Sequence, residues 1–570
     1  MTWPLVLGPL LRHVDESSAT IWVETAGAGT VEVRADGHTA SARTFAVHGH
    51  HYALVELEGL RSGSHLPYEV RVEGRRVWPP EDSTLPPSVI PTLEPGKPLR
   101  LAFGSCRTSV SHDEDGNRTH GVDALRAYAL RMAGEVDVDD EHADDGDLAD
   151  PRWPDLVLFL GDQVYADETT DAMREFISAR RDIEEPPWTE LKDYEEYAHL
   201  YALAWSDPIN RWLLSTLPSA MIFDDHDIRD DWNTSLSWKR EMEQTSWWHG
   251  RIVAGLASYW VYQHLGNLSP QARAEDEVWS LVRSHEGPDE LDLSERLDAL
   301  AERVDQEPTA YRWSYARDFD TQARLVVLDS RAARVLEPER RALLDPDELA
   351  WFDRQMSGGF DHVLIGTSLP FMLARGLHHL ESFGEALAGG AWGRAGAVLG
   401  EKVRQAVDLE HWGAFQDTFH AVGRLATEVA SGRRGPAPGS ITFLSGDVHH
   451  SYVSEARPKR GAKIGEVESA LLQAVCSPIR NPLPRQARFA TAVLSYGVAG
   501  PLGRVASWSA KVPDCPITWR YAEGPWFDNN LACLELEGRS LRMWWVSGRV
   551  VDDDHERPRL TKVADYRLRR

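Results

Sequence analysis

The fold class predicted by the sequence is α/β: sheets flanked by helices in layers, preceded by a small N-terminal β-sandwich. Three observations carry this. Short alternating runs fill residues 1–90. Beyond a proline-rich stretch, apolar runs end abruptly in polar residues. Long helical stretches separate several of these runs, and strands alternating with helices make a layered α/β domain.

The elements follow in order. SATIWVET, TVEVRAD, HYALVELEG and PYEVRVEG alternate apolar and polar residues and are parted by Gly- and Ser-containing turns. That spacing is a sandwich's, with Trp22 in its core. PPSVIPTLEPGKP ends at Pro98 and reads as a semi-rigid linker. The domains are therefore set at residues 1–90 (sandwich), 91–98 (linker) and 99–570 (α/β domain). Next come LRLAFGSC, DLVLFLGD, SAMIFDDHD, ARLVVLDS, DHVLIGTS and ITFLSGDVHH. Their length and their β-branched or aromatic content make each a buried strand. DAMREFISARRDI and TSWWHGRIVAGLASYWVYQHLG read as helices.

Two stretches read as insertions. Acidic GEVDVDDEHADDGDLAD (134–150) reads as a solvated loop and lacks EF-hand spacing. The Gly/Ala-rich segment 384–407 reads as helices near the site. NLACLELEG and LRMWWVSG form a β-hairpin that turns through Arg539 and Ser540.

Composition narrows the function. Hydrophobic content of 42% and charged content of 26% are those of an ordinary globular chain. A net charge of −28 speaks against a general binder of nucleic acid or anionic membrane. The four cysteines are scattered, without C-x-x-C spacing, so neither a zinc ribbon nor a disulfide framework is indicated. The first residues lack a basic n-region and a long apolar run, and no membrane span is seen. A cytoplasmic chain is the expectation.

The chemistry gathers at strand ends, where ligands bind in open α/β sheets. FGSC presents Cys106, LGDQVYAD presents Asp162 and Tyr165, FDDHD presents Asp225 and His226, and SGDVHH presents Asp447, His449 and His450. Each is weak alone. A free Cys is usually an inert core residue, Tyr165 reads as half-buried packing, Asp225 as an N-cap, and His449 as a structural histidine. Four strand ends delivering metal-competent groups to one sheet edge are harder to explain structurally. A bare carboxylate is costly to bury unless paired or metal-bound.

These blocks resemble the PhoD-like metallophosphatases (alkaline phosphatase D) of the calcineurin-like metallophosphoesterase superfamily. GSC, LGDQVYAD, DDHD and SGDVHHS occur in that family's order across residues 100 to 455. The β domain before them also resembles the family's N-terminal domain. The resemblance implies that Cys106, Asp162, Tyr165 and His449 hold one metal. It implies that Asp162 bridges to a second, also held by Asp225 and Asp447, with His226 beside the scissile phosphate.

Thiolate, phenolate and imidazole suit a transition metal, and oxygen ligands suit calcium, magnesium or manganese. The family pairs Fe3+ with Ca2+, and that pair is the expected cofactor, with Mg2+ or Mn2+ the alternative at the second position. Many superfamily relatives supply a histidine between the third and last blocks. Here the strand end is LIGTSLPFM, with Thr367 and Ser368 instead.

The implied activity is hydrolysis of phosphate monoesters or diesters by a metal-activated water. His226 would protonate the leaving group. A phospholipase-like phosphodiesterase and a non-catalytic, metal-stabilised binding protein are the alternatives. Substrate phosphate needs local cations. Arg107 is the first candidate, since it follows Cys106, with Arg229, Arg375, His378 and Arg480 behind it. Trp232 and Asn233 are candidates to shape the pocket, with Asn233 as a substrate contact. Asp224 and Asp227 are expected to orient neighbours, for example by fixing the His226 tautomer.

Overall fold

The computed structural model describes residues 5–137, 146–149, 152–357, 359–393, 400, 410–459, 467–484, 499–513 and 515–568. Most of the acidic insertion and much of the 384–407 stretch lie outside the described residues.

All six apolar runs form strands, and they belong to two sheets. In the first, Leu99–Gly104, Leu156–Leu160 and Ser219–Ile222 run parallel. Their other neighbour is an antiparallel meander of Leu531–Glu537, Ser540–Val551 and Asp554–Arg567. Glu537 pairs with Ser540, so the hairpin turns through Gly538 and Arg539, one residue earlier than expected. Gly538 supplies a φ of 52°, which such a tight turn requires. In the second sheet, Ala323–Leu328, His362–Thr367, Ser440–Ser445 and Ala470–Val475 are parallel, and antiparallel strands close both sides.

Side-chain alternation explains the layers. Leu325 and Val327 join one apolar cluster and Val326 and Leu328 the other, as the period of two demands. The first cluster lies between the sheets. A Cβ on Gly366 of the second sheet would stand 3.2 Å from Leu160 of the first. The second cluster packs under the helices Pro346–Gln355 and Gln416–Ala430, through Phe352, Phe419 and Val422. Each buried Leu, Val or Phe contributes on the order of 1.5–3 kcal/mol. The order is thus mixed α/β, with sheets inside and helices outside.

Before these lie two sheets that share one apolar cluster, with Ile21 and Val55 from one and Val33 and Val70 from the other; both are antiparallel except where Leu291–Asp292 joins the first parallel to Phe45–Val47. Val89–Pro91 pairs with His65–Pro67, so the linker's first residue is tied into a sheet. Trp22 is fully buried, but against Tyr262 of the α/β domain as well as Tyr52.

The helix Trp248–Tyr259 passes into a π-turn, Trp260–His264. There the Gln263 amide donates to Asp227 Oδ1 at 3.2 Å, and Arg12 donates to the carbonyls of Tyr262 and Gln263. No helix among the described residues is long and apolar enough to cross a membrane.

Candidate metal centre

Parallel strands in both sheets end at one place. The Gly446 N–H donates to the Ser368 carbonyl at 2.9 Å. The Asp447 N–H donates to Ser105 Oγ at 3.1 Å, which ties the two sheets together at the site. The approach is close: a Cβ on Gly446 would stand 2.0 Å from Ser105 Oγ, so only glycine fits.

The backbone here is unusual. Cys106, Asp162, Asn233, Asp447 and His449 all have positive φ, between 49° and 65°. Four of the six expected metal ligands are among them. L-residues at such φ cost about 1–3 kcal/mol each and cluster at functional sites.

The structure brings part of the expected set together: Cys106 with Asp162, and Asp225 with Asp162 and with Asp447. Cys106 Sγ lies 3.3 Å from Asp162 Oδ2 and 3.6 Å from the Asp447 carbonyl. The Tyr165 ring lies 4.9 Å from that of His226. His449 Nδ1 bonds the Asn481 carbonyl at 2.6 Å, which leaves Nε2 for a ligand, as a metal-bound histidine requires. His450 is buried and turns Nδ1 to the Val448 carbonyl. Asp162, Asp224 and Asp225 can share a cation, with ligand atoms within 4.8 Å of one another, and so can Asp225, Glu410 and Asp447.

Electrostatics point the same way. Burial, with Asp447 nearby, pushes the Cys106 thiol up to about 12. Burial lifts Asp225 to about 6 and Asp162 well above the carboxylate range. Asp162 Oδ1, Tyr165 Oη, Asp224 Oδ2 and Asp225 Oδ1 are buried without a hydrogen-bond partner. Buried oxygens without a partner, on groups whose charged form burial disfavours, are what a bound cation would satisfy. The donor set fits a metal.

His226 is held from behind. Its Nδ1 lies 2.9 and 3.0 Å from the two oxygens of Asp167, which also accepts the Asp230 N–H. Burial alone would lower His226. Asp167 outweighs it and holds the imidazole well above its ordinary value. The partner that fixes the tautomer is thus Asp167, not Asp224 or Asp227. Asp227 instead accepts the N–H groups of Asp162 and Asp224, each at 2.9 Å, and so bridges two strand ends. Asp224 is paired with Arg331.

The cations expected to meet phosphate are largely spent elsewhere. Arg107 donates Nε and Nη2 to Asp123, at 3.0 and 2.8 Å, and Nη1 to the Ala204 carbonyl. That is a structural ion pair 3% exposed, so the guanidinium has no arm left for substrate. Arg229 pairs with Glu190, and Arg480 is buried among the Val110, Ser111 and Gly121 carbonyls. His378 is buried, while Arg375 is exposed. Asn233 donates to the Arg331 carbonyl at 3.3 Å and accepts from Arg334. The cap of the next helix is Ser235. Trp232 is buried against Phe223.

Besides Asp167, sequence reasoning missed Arg331, Glu410, His411 and Glu381. Arg331 is fully buried and donates to Asp224 and to both oxygens of Glu410, with Nη2 3.0 Å from Asp225 Oδ1. His411 Nε2 lies 3.0 Å from Asp447 Oδ2, and its Nδ1 lies 2.8 Å from Glu381 Oε1. The signal for Arg331 was present, since ARLVVLDS ends on a strand edge and Arg331 follows it. Glu410 and His411 lie at the end of the long insertion, where no periodicity marks them.

Comparison with known proteins settles the family. A family model described as PhoD-like phosphatase matches residues 146–494, more than half of the chain. The chain belongs to the PhoD-like phosphatase family. It is a hydrolase acting on phosphoric esters. A second family model, a domain of unknown function, matches residues 2–90. Among solved structures, one titled "Structure of PhoD" superposes with a TM-score of 0.59 at 13% identity, covering 99% of this chain and 90% of its own. A purple acid phosphatase from yellow lupin (Lupinus luteus) seeds gives 0.45 at 10% identity, covering 94% and 71%. No curated protein matches. PhoD-like membership fits the metal-competent cluster, and phosphate esters are the substrate class.

Proposed function

We propose that this PhoD-like phosphatase hydrolyses phosphate mono- or diesters at a two-metal site. Cys106, Asp162, Tyr165 and His449 would hold ferric iron. Asp225 and Asp447, with Asp162, would hold a second ion, calcium or alternatively magnesium or manganese. When bound, such ions supply Lewis-acid charge and lower the pKa of water.

The chain's own residues do the rest. Asp167 fixes Nδ1 of His226 and leaves Nε2 for the ester's leaving oxygen. The same carboxylate raises the imidazole above its ordinary value, which favours the protonated form a general acid needs. Asp227 holds the Asp162 and Asp224 backbones, and so the distance between the two strand ends. Arg331 balances Asp224 and Glu410, and its Nη2 also lies 3.0 Å from Asp225 Oδ1.

The observation that carries this reading is the set of orphaned, buried oxygens on Asp162, Tyr165 and Asp225, with the Cys106 thiol 3.3 Å from Asp162. Its test compares His226→Ala with Asp225→Asn. His226→Ala should lower kcat about 10²–10⁴-fold with metal content unchanged. Asp225→Asn should lower both. Equal activity in His226→Ala would remove His226 from the mechanism. Parallel rates on a simple monoester and diester rank the two substrate classes.

A further inference from the structure

The strand end that follows His362–Thr367 offers no histidine to the second ion. Ser368 Oγ is bonded to Ser330 Oγ at 2.7 Å, and Thr367 Oγ1 is buried without a partner. A histidine nevertheless reaches the site by another route. His411 stands where the chain returns from the long insertion, directly before the turn Trp412–Ala414. Its place is fixed on both sides. Glu410 is clasped by Arg331 and Arg334, and Trp412 is fully buried, with its indole N–H donated to the Leu369 carbonyl at 3.2 Å.

We infer that His411 Nε2 is a ligand of the second metal ion, beside Asp225 and Asp447, and that Glu381 positions it. The inference rests on the two-metal reading above.

Three geometric facts support it. First, His411 Nε2 and Asp447 Oδ2 are 3.0 Å apart. Two neighbouring ligand atoms on one small octahedral ion, each with a bond of about 2.1 Å, are separated by about 3 Å, so the pair suits the smaller alternative ion at this position rather than calcium, whose bonds run to about 2.3–2.6 Å. Second, Glu381 Oε1 holds Nδ1 at 2.8 Å, and Glu381 is itself almost fully buried on the helix Arg375–Ala388. A carboxylate behind the distal nitrogen is the usual support of a metal-bound imidazole, fixing its tautomer and orientation. Third, the facing carboxylate has unused capacity. Asp225 Oδ1 is buried and lies near Arg331 without the alignment of a hydrogen bond. Glu410 belongs to the same acid group, but its two oxygens are taken by Arg331. His411 is therefore the better placed nitrogen ligand. The segment just beyond residues 384–407 would then complete the metal site in place of the strand-end histidine.

The test is metal stoichiometry on the whole protein. Wild type, His411→Ala and Glu381→Gln are stripped with chelator, reloaded with iron and then titrated with Ca2+ or Mn2+ in a calorimeter. Bound metal is also read by elemental analysis. Wild type should bind two ions per chain. His411→Ala should keep iron and lose tight binding of the second ion, and Glu381→Gln should weaken that binding about 10–100-fold. Unchanged second-ion affinity in both variants overturns the role of His411 while leaving the two-metal reading intact. A wild type that binds only one ion overturns both. Should His411→Ala fail to fold, as read by circular dichroism, Glu381→Gln alone decides the matter.

Discussion

Asp167→Asn isolates the contact that makes His226 an acid. Asn keeps the shape of Asp167 and one acceptor oxygen but loses the charge. In the wild type both carboxylate oxygens face His226 Nδ1, at 2.9 and 3.0 Å, and Asp167 is itself buried. A hydrogen bond to a charged partner is worth about 1.5–3 kcal/mol. At about 1.4 kcal/mol per tenfold in rate, its loss lowers kcat about 10–100-fold. The sign of the pH effect follows from the same contact. Asp167 raises the His226 pKa, so the protonated acid persists to higher pH. Without the charge, His226 loses its proton earlier, and the alkaline limb of the kcat profile moves to lower pH. The assay is the pH dependence of kcat on a chromogenic phosphate ester, with metal content measured in parallel. KM and bound metal should change little. An unchanged kcat with an unmoved alkaline limb would refute Asp167 as the residue that positions His226.

Other outcomes follow from the packing around the site. Arg107→Met removes one partner of a buried ion pair and should cost about 3–5 kcal/mol of stability, read as a lower denaturant midpoint. A raised KM with unchanged stability would return Arg107 to the substrate. Burial opposes charge on Asp123, but Arg107 outweighs it and holds the carboxyl below its usual range. The stability this pair contributes is therefore present above the unfolded value of about 3.9 and is lost as pH falls through the folded value. The pH dependence of stability below about pH 4 should be shallower in Arg107→Met than in wild type. Gly446→Ala would drive a methyl into Ser105. It should cost about 1–3 kcal/mol and lower kcat by displacing Asp447, and wild-type kinetics in this variant would contradict the close approach.

Much of the fold was legible because it is local. Six apolar runs became six strands, since a buried parallel strand is apolar on both faces. The groups at their ends were legible for the same reason: the strand that is read also fixes where Cys106, Asp162, Asp225 and Asp447 fall. What was illegible depends on chain folding over long separations. Asp167 meets His226 across 59 positions, and Arg331 meets Asp224 across 107. Neither spacing has a period to detect. Arg107 looked available because it adjoins Cys106, yet the turn that aims the thiol inward sends the guanidinium to Asp123. The hairpin was misplaced by one residue because Gly538 was counted with the strand, although its positive φ belongs to the turn.

The central claim is that bound metal at this cluster drives phosphate-ester hydrolysis. The direct measurement is the hydrolysis rate of a phosphate ester by one preparation, before chelation, after complete metal removal verified by elemental analysis, and after restoring iron and calcium. The account predicts loss of activity on stripping and its return on reconstitution. Undiminished hydrolysis by the metal-free protein would contradict it.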